Sequence, residues 1–215
     1  MARFSRTIFA FAVLLMASAA QGDTINVSAS VWGSARDAGR DGSFEQISST
    51  TDILLNSNQN QSFVERGLWE FDLSELPLGT ILGINLELIL VSSTLEGAPF
   101  DVFGHVGNGT IETADATAGS LLAGGLIAGG STIFDVTAFI LGPSVQAAGF
   151  AGFMARFSVE TGPGTLFKQF QDPDAFFGNA SPFLVVEFVP VPVPATVWLF
   201  GSALGLLGWM RRKAA

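Results

Sequence analysis

Apolar and polar residues alternate along much of the middle of the chain. Residues 84–90, 100–106, 153–159 and 184–188 place apolar side chains at every second position, strictly or nearly so. A period of two is typical of strands that bury one face. Glycine, proline and aspartate turns separate these stretches, and no long helical period lies between them. The pattern predicts an all-β fold, an antiparallel β-sandwich, because parallel strands would need crossover helices.

The first 20 residues have a different pattern. Arg3 and Arg6 precede an apolar run from Ile8 to Met16, and small residues follow at 17–20. The run is too short to cross a bilayer as an anchor. This arrangement predicts a cleaved secretory signal peptide over residues 1–20, with an uncleaved N-terminal anchor as the alternative. The folded domain is then expected over residues 21–188.

The C-terminal segment, residues 189–215, is also distinct. An uncharged run separates Glu187 from Arg211, and Pro194 suits the first position of a helix. A helix over 194–210 would be about 25 Å long, the short end of what spans a membrane. The basic cluster that follows predicts a stop on the cytoplasmic side, with the domain outside. Its members are Arg211, Arg212 and Lys213.

This tail resembles the PEP-CTERM sorting signal, in its Val-Pro-Leu-Pro-Ala variant. The motif, the short glycine-containing helix and the basic end occur in the same order, although Val193 stands where the parent signal has Glu. The resemblance implies a Gram-negative exosortase substrate, held in the inner membrane before processing and then released to the cell surface or matrix, often where exopolysaccharide is made. A plain single-span anchor is the alternative. The motif residues are Val191, Pro192, Val193, Pro194 and Ala195.

Charge narrows the choice of partners for the domain. All 19 acidic residues lie within 21–188, together with only five of the 10 basic ones, so this part carries a net charge of −14. Nucleic acid and anionic lipid are therefore poor partners. No cysteine is present, which excludes disulfides and thiolate metal sites. The acidic loops 36–42 and 171–174 offer oxygen ligands for a structural calcium ion, and solvated turns are the alternative.

A second resemblance covers the domain itself. Residues 66–81, RGLWEFDLSELPLGTI, are similar to the signature stretch of DNRLRE-type domains, and residues 134–137, 148–150 and 183–188 also suit that pattern. These domains are jelly-roll sandwiches related to a carbohydrate-binding module family. The resemblance implies a jelly-roll-like topology, in which structural calcium is common.

Few side chains stand out as site residues. Trp32 is a candidate platform for a sugar ring, whereas Trp69 alternates with Phe71 and is predicted to lie in the core. His105 is the one histidine, and the alternation predicts a surface or edge residue and a poor transition-metal site. Arg66 is expected to pair with a carboxylate such as Asp72 or Asp135.

The sequence therefore predicts a secreted, non-enzymatic surface or matrix protein with no catalytic residues. The first alternative is a carbohydrate-binding module that acts on the cell's own polysaccharide. The second is a polysaccharide lyase or hydrolase, for which no nucleophile or metal-hydrolase motif is found and no carboxylate pair is singled out.

Overall fold

The computed structural model describes residues 22–48, 53–58, 63–93, 98–127, 130–160, 165–170 and 182–191. The predicted signal peptide, the predicted helix 194–210 and the basic cluster lie outside these ranges. Within the described ranges, no helix has the length and apolar character needed to cross a membrane.

The described residues form twelve strands and two short helices, with 3₁₀ turns at Leu73–Glu75 and Thr113–Thr117. The strands are β1 (Asp23–Ser28), β2 (Val31–Asp37), β3 (Gln46–Ser48), β4 (Ile53–Asn58), β5 (Phe63–Asp72), β6 (Gly79–Ser93), β7 (Phe100–Val106), β8 (Ser120–Leu126), β9 (Ser131–Asp135), β10 (Phe150–Phe157), β11 (Thr165–Phe170) and β12 (Phe183–Pro190). The helices are α1 (Thr137–Ile140) and α2 (Pro143–Ala148).

The strands join in one large, antiparallel sheet. Its main pairing order is β1-β12-β6-β11-β4-β5-β10-β7-β8, while β2 pairs with β3 and β5, and β9 pairs with β6. The registers of β5 with β10, β10 with β7 and β2 with β5 are antiparallel throughout. The predicted antiparallel β structure is confirmed, and each of the four alternating stretches contributes to a strand.

By compactness, the chain divides into two units. The larger contains residues 24–77 and 81–188 and holds the core described below. Of the smaller unit, the structure describes residues 22–23, 78–80 and 189–191.

One hydrophobic core collects side chains from strands far apart in the pairing order. Val27 of β1 and Val102 of β7 belong to the same buried cluster, together with the fully buried Trp69 and Phe71 of β5. Strands from opposite ends of the order share a core only if the sheet folds over on itself. The prediction that Trp69 lies in the core is confirmed.

The opposite face of β5 and β10 carries a smaller apolar cluster. Leu68 and Met154 pack there with Ala35 of β2, Phe44 of the β2–β3 loop and Ala116 of the turn Thr113–Thr117. The segment 107–119, here called the covering segment, therefore lies over this face. As a result, β5 is buried on both sides along most of its length.

Residues 114–131 are rich in glycine and alanine and nevertheless contain regular structure. The 3₁₀ turn Thr113–Thr117 is followed by β8, and β9 begins at Ser131. The two helices were not predicted, because each has six residues or fewer. Proline and glycine mark the two ends of α2. Pro143 lies in its first turn, and Gly149 follows its last residue in the left-handed conformation, at φ 79°.

Phe153 joins the core to helix α1. Its ring is fully buried and makes edge-to-face contacts with Phe71 and Phe139, with ring centroids 5.6 and 5.3 Å apart. We predict that Phe153→Ala lowers the free energy of unfolding by about 3–5 kcal/mol, because it removes buried area and leaves a cavity. Urea unfolding measures this. Ile127→Ala, at a side chain that is 65% exposed, should change the value by no more than about 0.5 kcal/mol.

Glu65 is a partly buried acid within the sheet. It lies opposite Arg36 of β2 and Asn56 of β4. Burial raises the pKa of Glu65 above its ordinary value, and the Arg36 guanidinium and a hydrogen bond with Asn56 offset this only in part. The unfolded chain therefore ionises at lower pH than the folded chain at this residue.

Glu65→Gln should consequently change the pH dependence of stability. In the native chain, Glu65 lowers the free energy of unfolding as pH rises from about 4 through its raised pKa, because the unfolded state releases its proton first. We predict that the difference in unfolding free energy, variant minus native, grows from about pH 4 to pH 7. Urea titrations at several pH values measure it, and parallel profiles would contradict the assignment.

Candidate functional site: a buried Glu–His–Asp cluster

Three strands set a carboxylate and an imidazole on the same face of the sheet. Gly152 of β10 lies opposite Glu70 of β5 on one side and opposite His105 of β7 on the other. Directly opposed residues share a face, so Glu70, Gly152 and His105 form one cross-strand row. The middle residue has no side chain, and the two outer side chains can approach each other across it.

Gly152 is required by this arrangement. A Cβ atom at position 152 would collide with the His105 imidazole. Gly107 has a similar role on the other side of the cluster, because a Cβ atom there would lie 2.8 Å from the Glu70 carboxyl carbon. Two glycines thus clear the space that Glu70 and His105 occupy.

Glu70 is fully buried, and backbone groups of the covering segment bind its carboxylate. The Gly109 N–H donates to Oε2 at 2.6 Å, and the Asn108 N–H donates to the same oxygen at 3.1 Å. Oε1 has the Asn108 N–H at 3.3 Å and otherwise faces His105. Hydrogen bonds of this kind stabilise a buried carboxylate.

Asp115 completes the cluster from the turn Thr113–Thr117. Its Oδ2 accepts a hydrogen bond from the Glu112 N–H at 2.8 Å, within a capping box that begins the turn. Its Oδ1 points to His105, whose Nε2 lies 3.4 Å away. The covering segment therefore supplies one ligand-type oxygen of its own and two amides that hold Glu70.

His105 stands between the two carboxylates. Its Nε2 is 3.7 Å from Glu70 Oε1 and 3.4 Å from Asp115 Oδ1, and the side chain is only 5% exposed. Among the described residues, neither ring nitrogen has a hydrogen-bond partner. Burial raises the pKa of Asp115 above its ordinary value. The hydrogen bond from the Glu112 backbone and the Coulombic effect of His105 lower this pKa only in part. The three groups could hold a metal ion, since one atom from each lies within 4.8 Å of the others.

An open groove of about 480 Å³ adjoins His105. Its walls include Ser120 of β8, Phe139 of α1, and Pro143 and Val145 of α2. Neither Glu70 nor Asp115 is among its lining residues. The groove and the cluster are therefore separate features that share His105.

The acidic loop after β2 is organised differently. Asp37, Asp41 and Glu45 also place oxygens within 4.8 Å of one another. The Asp37 carboxylate, however, accepts the N–H groups of Gly39, Asp41 and Gly42, at 3.0, 3.3 and 2.8 Å. These carboxylates shape their own turn, and calcium binding there stays a prediction. The other acidic loop, 171–174, lies outside the described residues.

Arg66 and Trp32 have structural surroundings. Arg66 pairs with Glu160 at 2.7 Å and donates to the Ala116 carbonyl at 2.6 Å, so the expected partners Asp72 and Asp135 were wrong. Trp32 lies opposite Trp69 and is half-buried against the main core. Its role as a sugar platform stays a prediction.

The resemblances of this chain to known families rest on local motifs alone. Neither a scan against protein-family models nor a search of the curated proteins finds a match. The resemblances to PEP-CTERM signals and DNRLRE-type domains accordingly stay predictions. In the sorting motif, Val191 is described and exposed, and the remaining four residues lie outside the described ranges.

Sequence reasoning missed this cluster. His105 was predicted at the surface or edge, and this was wrong, because the covering segment buries it to 7% exposure. The available signal was a glutamate that stands directly between two large aromatic residues, Trp69 and Phe71, within one strand. Its partners come from positions 35 and 45 residues further along the chain, and only the pairing register brings them together.

Gly152→Ala tests whether the row needs its glycine. We predict a loss of about 1–3 kcal/mol in the free energy of unfolding, because the new methyl group must displace the His105 ring. Gly83→Ala is the matched control, since a Cβ atom at position 83 meets nothing within 4 Å. Urea unfolding compares the two variants.

A double-mutant cycle isolates the contact between position 152 and the His105 ring. In a His105→Ala background the ring is gone, so Gly152→Ala should cost far less than in the native chain. Equal costs in both backgrounds would show that Gly152 is needed for a reason other than the imidazole.

Proposed function

We propose that the chain is an exported, non-enzymatic protein of the cell surface or extracellular matrix, with a β-sandwich domain of the jelly-roll type that an exosortase processes. The observation that most supports this proposal is the C-terminal tail, in which a Pro-x-Pro motif, an apolar run and a basic end follow one another in that order. The N-terminal signal-like segment supports export by the same chain.

The position of the motif suits removal of the tail after folding. Strand β12 ends at Pro190, and the motif begins at the next residue, Val191, which is 65% exposed. The buried residues of β12 are Leu184, Val186 and Phe188, all before the motif. Cleavage near 191–195 would therefore leave every core residue of this strand in the released domain.

The composition of the domain is compatible with a location outside the cytoplasm. It has no thiol to oxidise, and its net charge of −14 disfavours adsorption to anionic lipid once the tail is removed. Its stability rests on one core to which distant strands contribute, as a folded-over sheet requires. That packing supports the sandwich, and the DNRLRE-like motifs support the jelly-roll topology. Neutral or cation-bridged exopolysaccharide is the partner class we propose.

The tail's role is tested by changing both motif prolines. We predict that Pro192→Ala with Pro194→Ala abolishes processing and leaves export intact, because the rigid extended motif is lost while the signal peptide is unchanged. Intact mass is measured for the protein recovered from membrane and culture fractions of its native host. The native chain should begin near Ala20 or Gln21 and end near 194–196.

Pro190→Ala is the matched control, since it removes a neighbouring proline outside the motif, and it should be processed like the native chain. Unchanged tail removal in the double variant would contradict the role of the motif. A native product that still carries Arg211, Arg212 and Lys213 would show a plain membrane anchor instead.

A further inference from the structure

The two ring nitrogens of His105 are buried without a hydrogen-bond partner among the described residues. The side chain is 5% exposed. Buried polar groups without a partner are rare because their desolvation is not repaid. The ring's Nε2 is nevertheless aimed at two carboxylate oxygens, which lie 3.4 and 3.7 Å away.

These separations suit ligands around one ion better than direct hydrogen bonds. In a tetrahedral site with metal–ligand distances of about 2.0–2.2 Å, neighbouring ligand atoms lie roughly 3.3–3.6 Å apart. One ligand atom from each of Glu70, His105 and Asp115 lies within 4.8 Å of the other two. Small side-chain rotations would bring the three atoms onto one centre.

The surroundings already orient the two acids. Glu70 Oε2 is held by the Gly109 N–H, and Asp115 Oδ2 is held by the Glu112 N–H. The second oxygen of each carboxylate thus points to His105. Outer hydrogen bonds of this type fix the direction of metal ligands and strengthen binding.

The donor set selects a class of metal. An imidazole nitrogen with two carboxylate oxygens suits zinc and similar divalent transition metals. Calcium takes six to eight oxygen ligands at longer distances, whereas this cluster combines an imidazole nitrogen with two carboxylates. A divalent ion would also balance the charge of two buried carboxylates beside a neutral imidazole.

We propose that Glu70, His105 and Asp115 bind one divalent transition-metal ion of the zinc class, and that this ion fastens the covering segment to the face of β5, β10 and β7. Glu70 and His105 come from the sheet, whereas Asp115 comes from the covering segment, so the ion links the two. This site does not depend on how the protein is exported or processed.

Zinc binding by the full-length chain tests the proposal. The chain is purified in detergent, freed of metal with a chelator, and equilibrated with zinc chloride before elemental analysis and calorimetry. We expect one equivalent of tight zinc in the native chain. Asp115→Asn should weaken zinc binding by more than about 10–100-fold, the loss typical when only an outer partner of a ligand is changed. The asparagine can still accept the Glu112 hydrogen bond, so the turn should persist.

Asp41→Asn is the matched control, because it makes the same chemical change in the other acidic cluster. It should bind zinc like the native chain. The proposal is overturned if the folded native chain takes up no zinc, or if Asp115→Asn binds it as tightly as Asp41→Asn does. Circular dichroism checks that each variant is folded.

The single histidine allows a second, direct readout. Because the chain has one histidine, every imidazole signal in a ¹⁵N-histidine NMR spectrum comes from His105. Zinc should shift these signals stoichiometrically and slow hydrogen exchange at the amides of Asn108 and Gly109, which bind Glu70. Zinc uptake without a change at His105 would place the metal elsewhere and refute the site.

Discussion

Burial of the Glu70 carboxylate constrains the second face of the sheet. A fully buried carboxylate is tolerated only where other polar groups replace water. Backbone amides of Asn108 and Gly109 donate hydrogen bonds to it, and Nε2 of His105 lies 3.7 Å from its Oε1. The covering segment must therefore follow one path over β5 and β10, since only that path presents its amides to Glu70.

The same constraint explains the glycines and the apolar contacts beside the cluster. Gly152 and Gly107 leave room for the imidazole and the carboxylate. Two residues away along the same strands, the next cross-strand pair on this face is apolar, and it packs against the covering segment. The contact involves Leu68, Met154 and Ala116. Arg66 adds a further link, because it bonds both Glu160 and the Ala116 carbonyl. Polar and apolar contacts thus hold the covering segment in place together.

The proposed export route and the buried cluster concern different parts of the chain. In the proposed route, sorting would depend on the two ends, and the domain between them would have to remain folded outside the cytoplasm without disulfides. A metal link between the covering segment and the sheet would add stability of the kind that many exported domains obtain from crosslinks. The two proposals are compatible, and each could fail without affecting the other.

The sequence alone determined four of the strands and the antiparallel class, because side chains that alternate with period two can bury one face only in a strand. It also marked Trp69 as core, from its place beside Phe71. The burial of His105, the Arg66–Glu160 pair and the Glu70–Gly152–His105 row were decided by tertiary structure. Their members are distant along the chain, and the pairing of non-consecutive strands, which the alternation within each strand does not specify, sets which residues meet.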